Sequence, residues 1–206
     1  MKYQELRKKI KSPVFTSQDI RLLRGPAGGG AGRVFAYQLS LWQKQGYIIK
    51  LKNGVYAYAD MLPEIMAEEI SPALYGPSYI STEKALSFYG LIPEMVYAIT
   101  SVTPRTTRRI KNKAGFFIYR QIKPKLYFGY KAKKGDRLSY LMAEPEKALL
   151  DLIYLNRIND VAKLDNLRIN WKVAKKIFNK AKIRKYAAKY RVVLIGRTVH
   201  EIMRRI

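Results

Sequence analysis

The stretch from Phe15 to Ala59 constrains this chain most, because several local structure signals follow one another there in a fixed order. Thr16 and Ser17 are favourable N-cap residues for a short helix. A second helix is predicted from about Val34 to Gln45. Gly46 ends it, since glycine accepts the left-handed conformation that closes many helices. The helices are joined by GPAGGGAG, which lacks the pattern of a phosphate-binding loop and is predicted to be a flexible turn.

Two short β-rich runs, YIIKLK and VYAYA, follow the second helix and are joined by Asn53-Gly54. Asn-Gly between such runs is the strongest short-range hairpin signal, because both residues accept a positive φ. Helix, turn, helix and hairpin is the order of a winged helix-turn-helix, whose second helix lies in the DNA major groove. The sequence therefore predicts a DNA-binding domain over residues 1–60.

The second predicted helix has two distinct faces. Phe35, Leu39 and Trp42 recur at i, i+4 and i+7 and form an apolar stripe. The opposite face presents polar side chains that can bond to phosphate or to base edges. Together with helix-start and hairpin residues, the candidate DNA-binding set is Ser17, Gln18, Arg33, Tyr37, Ser40, Lys44, Lys50, Lys52 and Asn53. The alternative is a small protein-interaction domain with a solvated polar face.

The charge of the chain indicates a polyanionic partner. The 206 residues contain 40 Lys or Arg and 15 acidic residues, a net charge of +25. Nucleic acid is the expected partner. A membrane is not expected, because no run of about 18 apolar residues exists. The chain has no cysteine and no hydrophobic signal-peptide core, so we expect a cytoplasmic location.

Apolar periodicity restarts near Pro63, which predicts a second domain over residues 61–206. A helix is predicted to begin at Pro63 with Asp60 as a nearby acidic residue, and Ser81 or Thr82 is predicted to cap another. MVYAITSVT, FFIYRQI, KLYFGYK and RLSYLMA are typical of four strands. The predicted fold class is α+β: the winged module, then a domain with a small, mostly antiparallel sheet and C-terminal helices.

The connection PRTTRRIKNKAG between the first two of these strands has no apolar period and is predicted to be a loop or hairpin tip. Its basic residues are candidates for a second polyanion surface: Arg105, Arg108, Arg109, Lys111 and Lys113. A solvated loop in a very basic protein explains them equally well. Further along, AEPEKALLDLIYL and WKVAKKIFNKAK are predicted helices, with Pro145 in the first turn of one and Asn170 capping the other.

The second half of the chain resembles the AbiEi family, the antitoxins of type IV abortive-infection toxin–antitoxin pairs. The motifs that carry the resemblance are GPSYISTEKALSFYGLIPE (76–94), TSVTPRTTR (100–108), FIYRQI (117–122), LYFGY (126–130) and AEPEKALLDLIYL (143–155). The hairpin ending in KNGVYAY is similar to the family's winged-helix end. The resemblance implies a DNA-binding N-terminal domain and a C-terminal domain needed for antitoxicity. It also implies repression of the protein's own operon.

An enzymatic alternative rests on the clustered carboxylates of EPEKALLD. Glu144, Glu146 and Asp151 beside Lys147 could serve a metal-dependent nuclease. Glu144 and Glu146 also fit the positive end of a helix dipole, and Lys147 and Asp151 fit an i, i+4 ion pair on the helix surface. His200 is the only histidine, so no closed metal site is expected around it. We therefore expect no catalysis, no metal and no cofactor.

The expected function is that of a monomeric repressor which binds double-stranded promoter DNA and is also an antitoxin. As the resemblance implies, it would counter a nucleotidyltransferase-type toxin without a stable complex. An RNA-binding protein that masks the toxin's RNA substrate is the alternative. We expect residues 1–59 to suffice for promoter recognition and residues 61–206 to suffice for rescue from the toxin.

Overall fold

The computed structural model describes residues 1–24, 31–190 and 193–206, which form a mixed α+β structure with 47% helix and 22% strand. The α-helices are α1 (Tyr3–Lys9), α2 (Ser17–Arg24), α3 (Ala31–Lys44), α4 (Ala67–Leu74), α5 (Thr82–Phe88), α6 (Pro145–Leu155), α7 (Val161–Asp165), α8 (Trp171–Ile177), α9 (Lys180–Tyr190) and α10 (Val193–Arg205). The strands are β1 (Val14–Thr16), β2 (Ile48–Lys52), β3 (Val55–Tyr58), β4 (Tyr79–Ile80), β5 (Ile99–Thr103), β6 (Arg108–Asn112), β7 (Gly115–Gln121), β8 (Tyr130–Lys134) and β9 (Ser139–Ala143).

Local chemistry fixes the ends of the first helices. The Thr16 hydroxyl accepts a hydrogen bond from the Asp19 backbone N–H at 3.1 Å, and Asp19 accepts one from the Thr16 N–H at 2.6 Å, so α2 begins with a reciprocal cap. At the end of α3, Gly46 has φ +77° and the Tyr47 N–H bonds to the Trp42 carbonyl, as in a Schellman motif. Residues 25–30 of the predicted glycine-rich turn lie outside the described residues.

The hairpin after α3 forms as predicted, with one difference in its turn. β2 and β3 pair antiparallel on either side of Asn53-Gly54, and β1 adds to the far edge of β3. Gly54 has φ +76°, whereas Asn53 is not left-handed, and the register shifts between Lys50 and Lys52. Asn-Gly favours a two-residue turn in which both φ angles are positive. This hairpin instead has one positive φ and an irregular register.

The three-stranded sheet is buried on two faces. One face packs with α1, α2 and α3 around Leu6, Phe15 and Trp42. The other face, which we call the outer face of the small sheet, consists of Val14, Leu51, Val55 and Ala57. These four residues belong to the core of the C-terminal part, and α4 packs against β1. The first 60 residues therefore share a core with the rest of the chain, which bears on any attempt to separate them.

The larger sheet has six strands in the order β6-β7-β5-β4-β9-β8. The β4–β9 and β5–β7 pairs are parallel, and the other three pairs are antiparallel. Three of the four predicted strands are present as β5, β7 and β9. The fourth was predicted over KLYFGYK, but that segment begins with a 3-10 turn, Pro124–Leu126, and β8 starts only at Tyr130. The sheet also has two strands beyond the four predicted. β4 has only two residues, and β6 lies in the basic connection predicted to be a loop or hairpin tip. β6 forms because its backbone pairs with β7, a contact that its own composition does not indicate.

The helix start predicted at Pro63 was wrong. The segment at Pro63 is a short 3-10 turn, Leu62–Glu64, and α4 begins only at Ala67. Asp60 instead accepts hydrogen bonds from both terminal nitrogens of Arg7, at 2.8 and 2.6 Å, which ties it to α1. Asp60 pairs with Arg7 and does not serve at a helix start, because an arginine and a carboxylate form a strong bidentate pair.

The cap of α5 also differs from its prediction. The Ser81 hydroxyl donates to Asp151 at 2.8 Å, and the Thr82 hydroxyl is buried without a hydrogen-bond partner, so neither side chain caps the helix. The orphan N–H of Lys84 is bonded at 3.0 Å by the hydroxyl of Thr100, which lies on the adjacent strand β5. A residue of the neighbouring strand thus satisfies a helix-start N–H that Ser81 or Thr82 was predicted to cap.

The C-terminal helices cover α6 and the sheet. Pro145 occupies the first turn of α6, and Asn170 caps α8 by accepting from the Val173 N–H at 3.2 Å, both as predicted. The helix predicted over WKVAKKIFNKAK is broken after Ile177. Asn179 accepts from the Lys182 N–H at 3.1 Å and so begins a separate helix, α9. The described residues contain no helix of the length and apolarity that a bilayer crossing needs.

Candidate nucleic-acid interface

The exposed face of α3 carries the polar residues expected there. Tyr37 is 71% exposed, and Ser40 and Lys44 are also exposed. Phe35, Leu39 and Trp42 are buried on the opposite face, so the predicted apolar stripe is confirmed. The helix backbone includes Arg33, but its side chain lies outside the described part of the chain. The face of α3 that solvent can reach is therefore polar and weakly basic around one exposed tyrosine.

The start of α2 and the hairpin tip lie together. The Ser17 N–H donates to the Gly54 carbonyl at 2.9 Å, and a Cβ on Gly54 would lie 3.1 Å from the Ser17 hydroxyl. Gln18, Lys50 and Asn53 are exposed. This contact fixes the hairpin tip against the start of α2.

Lys52 points to a different place from the free hairpin tip expected for it. Its ammonium donates to the Leu74 carbonyl and lies 5.8 Å from the centroid of the Tyr75 ring, at the end of α4. Burial lowers the pKa of Lys52, and the nearby charges of Arg108 and Arg105 lower it further. The lysine therefore sits between the small sheet and the C-terminal part.

The basic connection meets the hairpin at the same junction. Arg105 and Arg108 also stand over Tyr75, with their guanidinium carbons 4.5 and 5.3 Å from the ring centroid. The Asn112 side-chain amide donates to the Leu51 carbonyl of β2 at 3.0 Å. The structure thus brings together two sets of basic residues that the sequence placed in separate domains. All five basic candidates are exposed: Arg105, Arg108, Arg109, Lys111 and Lys113.

Tyr75 and Asn112 were not identified as candidates from the sequence. Tyr75 follows an apolar helix and precedes Gly-Pro, where an aromatic residue is ordinarily read as core. Its hydroxyl hydrogen-bonds with the Thr106 hydroxyl at 3.0 Å, and its ring packs edge-on against Tyr119. No local pattern marks either residue, because their importance comes from contacts with chain segments about 30 or more residues away.

The sequence pattern predicted that the carboxylates of EPEKALLD lie on the helix surface. In the structure they are buried instead. Asp151 and Lys147 are both fully buried, and Glu144 and Glu146 are nearly so. The prediction of a surface ion pair was wrong, because α6 is covered by α5, α9 and β9. Helical periodicity assigns charged residues to solvent by default, and only the packing of other elements reveals a buried polar pair.

The Lys147–Asp151 pair has a complete set of hydrogen-bond partners. The Lys147 ammonium donates to Asp151, to the Tyr79 hydroxyl at 2.9 Å and to the Tyr190 hydroxyl at 2.9 Å. Asp151 also accepts from Tyr79 at 2.9 Å, from Ser81 at 2.8 Å and from Tyr190 at 2.7 Å. Burial lowers the pKa of Lys147, whereas the charge and hydrogen bond of Asp151 oppose that shift. Burial, together with Asp151, raises the pKa of Tyr79 well above its usual value.

Glu144 and Glu146 hold the C-terminal helix α9. Glu144 accepts from Lys182 and Lys131, both at 2.9 Å, and from the Tyr186 hydroxyl. Burial alone would raise the pKa of Glu144, but these three donors outweigh burial and bring it to about 2. Glu146 accepts from the Asn179 backbone N–H at 2.8 Å. Protein donors thus bind Glu144 and one oxygen of Glu146, whereas the Oε2 atom of Glu146 is buried without a hydrogen-bond partner. The described residues contain no cluster of three acidic or histidine side chains arranged for a metal.

His200 is exposed on α10. The carboxylate of the next residue, Glu201, accepts hydrogen bonds from Arg204 and Arg205. The chain matches no protein-family model and no curated protein. The resemblance to the AbiEi family therefore rests on the sequence motifs alone.

Proposed function

We propose that this protein is a DNA-binding transcriptional repressor of its own operon and an antitoxin of a type IV toxin–antitoxin pair. It is proposed to act in the cytoplasm as a monomer, and to counter a nucleotidyltransferase-type toxin without a stable complex. The antitoxin part of the proposal comes from the AbiEi-like motifs. The DNA-binding part comes from the residues of the first 60 positions and from the charge of the chain.

The observation that carries DNA binding is the exposed polar face of α3 beside a hairpin. The order α1, β1, α2, α3, β2, β3 is that of a winged helix-turn-helix, with α3 as the recognition helix and β2–β3 as the wing. Tyr37, Ser40 and Lys44 can donate to phosphates or base edges. Lys50 on the wing adds a charge that a neighbouring phosphate would meet.

Net charge supports the same partner. Forty basic residues against 15 acids exceed what solubility needs and attract a polyanion over a long range. The cations of the β6–β7 hairpin continue the basic surface away from the wing. A duplex lying on α3 and the wing would therefore meet further phosphate contacts along this hairpin.

RNA binding is the second candidate, and α9 is the observation that favours it. This helix carries five basic residues and no acidic one, namely Lys180, Lys182, Arg184, Lys185 and Lys189. Like charges at i, i+4 destabilise a helix, so their accumulation is best explained by a polyanion partner. Such a surface could mask the RNA that a toxin modifies. A preference for single-stranded or structured RNA over duplex DNA would favour this candidate.

We expect no catalytic activity, because protein donors bind Glu144 and Asp151, and Glu146 is buried away from solvent. Cleavage of DNA or RNA that requires a divalent metal and disappears in Glu146→Ala would overturn that expectation.

A gel-shift titration with the protein's own promoter and a scrambled duplex tests DNA binding. Tyr37→Ala should weaken promoter binding by about 1–3 kcal/mol if the tyrosine contacts a base, and should affect the scrambled duplex less. Lys8→Ala, an exposed lysine on α1, is the charge control and should change little. Equal affinity of the wild type for the two duplexes would refute promoter recognition.

The antitoxin part is tested by co-expression with a nucleotidyltransferase-type protein encoded beside this gene. Growth should be rescued by the wild type and also by Lys44→Ala, which damages only the proposed recognition helix. Growth arrest despite soluble, folded wild-type protein would refute antitoxicity. Loss of rescue in Lys44→Ala would instead show that neutralisation depends on DNA binding.

A further inference from the structure

We infer that Lys52, Arg105 and Arg108 form, around Tyr75, a binding site for one phosphate group at the junction of the small sheet and the C-terminal part. The site concerns phosphate as a ligand, supplied either by a nucleic-acid backbone or by free inorganic phosphate. Only the first source rests on the proposed function.

The three cations converge from different parts of the chain. Lys52 comes from β2, Arg105 from the segment after β5, and Arg108 from the start of β6. Their charged atoms lie 5.8, 4.5 and 5.3 Å from the centre of the same tyrosine ring. Each cation is stabilised by cation–π attraction to this one aromatic ring, which holds three like charges around it.

Two of the cations are fixed by backbone carbonyls. Arg105 donates from Nη1 to the Gly76 carbonyl at 2.9 Å, and Lys52 donates to the Leu74 carbonyl. Each keeps further N–H groups free, because a guanidinium has five donors and an ammonium has three. The site is thus held in place by the carbonyls on either side of Tyr75 without using all of its donors.

Within the described chain, none of the three cations forms an ion pair with a carboxylate, and the Arg108 guanidinium has no hydrogen-bond acceptor. The cations therefore repel one another, and no carboxylate of the described residues neutralises their charge. The lowered pKa of Lys52, caused first by burial and then by Arg108 and Arg105, is the electrostatic sign of that repulsion. A bound anion would remove it.

Phosphate fits this arrangement better than a carboxylate. A phosphate group carries up to two charges and presents several acceptor oxygens, and a guanidinium can bind two of them at once. A single carboxylate has one negative charge and two oxygens, so it would leave part of the charge and donors of three convergent cations unpaired. An acidic peptide is thus the less favoured ligand, and the experiment includes it as an opposing outcome.

The first measurement is the thermal midpoint of the full-length protein in inorganic phosphate and in chloride of equal ionic strength. At ten times the dissociation constant, phosphate should raise Tm by about 3–6 °C more than chloride does. Arg108→Gln should abolish this difference. Arg109→Gln, the adjacent exposed residue whose side chain alternates to the other face of β6, should retain it.

The second measurement is the salt dependence of binding to an unrelated duplex. If DNA supplies the phosphate, Arg108→Gln should reduce the slope of log K against log salt by roughly 0.9, the loss of one phosphate contact. A phosphate effect on Tm with an unchanged slope assigns the site to the free anion. Neither effect, or an equal rise in Tm with polyglutamate at matched ionic strength, would overturn the inference.

These outcomes are separable from the proposed function. The Tm measurement contains no nucleic acid, and promoter recognition is read from Tyr37→Ala. The phosphate site can therefore fail while promoter binding stands, and the reverse also holds. Circular dichroism of Arg108→Gln verifies that a lost response does not reflect a misfolded protein.

Discussion

Removing the ammonium of Lys147 should destabilise the whole protein, although the residue lies four positions from its partner like an ordinary surface pair. The proposed variant is Lys147→Met, which keeps much of the side chain's length and removes the charge. In the wild type the ammonium lies between Asp151, two tyrosine hydroxyls and three aromatic rings, the nearest being Phe128 with its centroid 4.9 Å away. Neither charge of the pair reaches solvent.

The magnitude follows from what the variant leaves behind. Breaking a buried pair by removing one partner costs about 3–5 kcal/mol, because the remaining charge is uncompensated. Asp151 would keep its hydrogen bonds from Tyr79, Ser81 and Tyr190, so the lower end of that range applies. For a chain of 206 residues, a loss of about 3 kcal/mol lowers Tm by roughly 6–12 °C.

The assay is thermal unfolding followed by circular dichroism, with a double-mutant cycle. Asp151→Asn alone should also destabilise, since it leaves the ammonium buried without its counter-charge. The double variant Lys147→Met/Asp151→Asn should lose less than the sum of the two single variants, by about 1–3 kcal/mol. Non-additivity of this sign measures the coupling between the two charges.

The matched control is Lys163→Met, which removes a lysine from the exposed Lys163–Asp160 pair on α7. No measurable change in Tm is expected there, because exposed pairs contribute little. A shift below about 2 °C in Lys147→Met, similar to that control, would refute the burial of the Lys147–Asp151 pair. It would instead favour the surface position that the sequence pattern suggested.

Three further predictions test other contacts. Gly135→Ala should lower the free energy of unfolding, measured by urea titration, by about 1–3 kcal/mol, because the new Cβ would lie 2.4 Å from the Glu69 carboxyl carbon. That buried carboxylate accepts backbone N–H bonds from Met66, Arg137 and Leu138. An unchanged urea midpoint would contradict this prediction. Because the pKa of Glu144 is lowered to about 2, the contribution of this carboxylate to folding stability is present above about pH 4.5 and is lost as pH falls toward 2. The difference in unfolding free energy between wild type and Glu144→Gln should therefore shrink over that interval. A difference that stays constant with pH would refute this prediction. A fragment of residues 1–60 should have a thermal midpoint well below that of the full chain in circular dichroism, because the outer face of the small sheet loses its apolar cover. An equal midpoint would show that this face is stable without the C-terminal part.

The sequence determined those parts of the fold that short-range chemistry governs. The buried stripe of α3, the left-handed Gly46 and Gly54, and the Asn170 cap all follow from residues within about one or two helical turns of one another. Apolar spacing and capping act locally, so they can be read before any tertiary contact is known. Three of the four predicted strands were found for the same reason, whereas β8 begins only at the end of the fourth, KLYFGYK.

The candidate surface could be predicted only in part. Spacing along α3 identified Tyr37, Ser40 and Lys44 as one exposed face, because a helix of known period fixes which residues are neighbours. It could not indicate that Lys52 leaves the hairpin tip for Tyr75, or that Arg105 and Arg108 meet it there. That meeting requires β2, α4 and β6 to be adjacent.

Tertiary structure alone decided the position of β6, the mixed order of the six-stranded sheet and the burial of the Lys147–Asp151 pair. Strand order depends on which backbones pair across long loops, and the sequence of one strand does not name its partner. Charged residues in a helix look the same whether they face water or a set of hydroxyl donors. Tyr79, Ser81 and Tyr190 come from segments about 40 to 70 residues away from Asp151, and only the completed packing brings them to it.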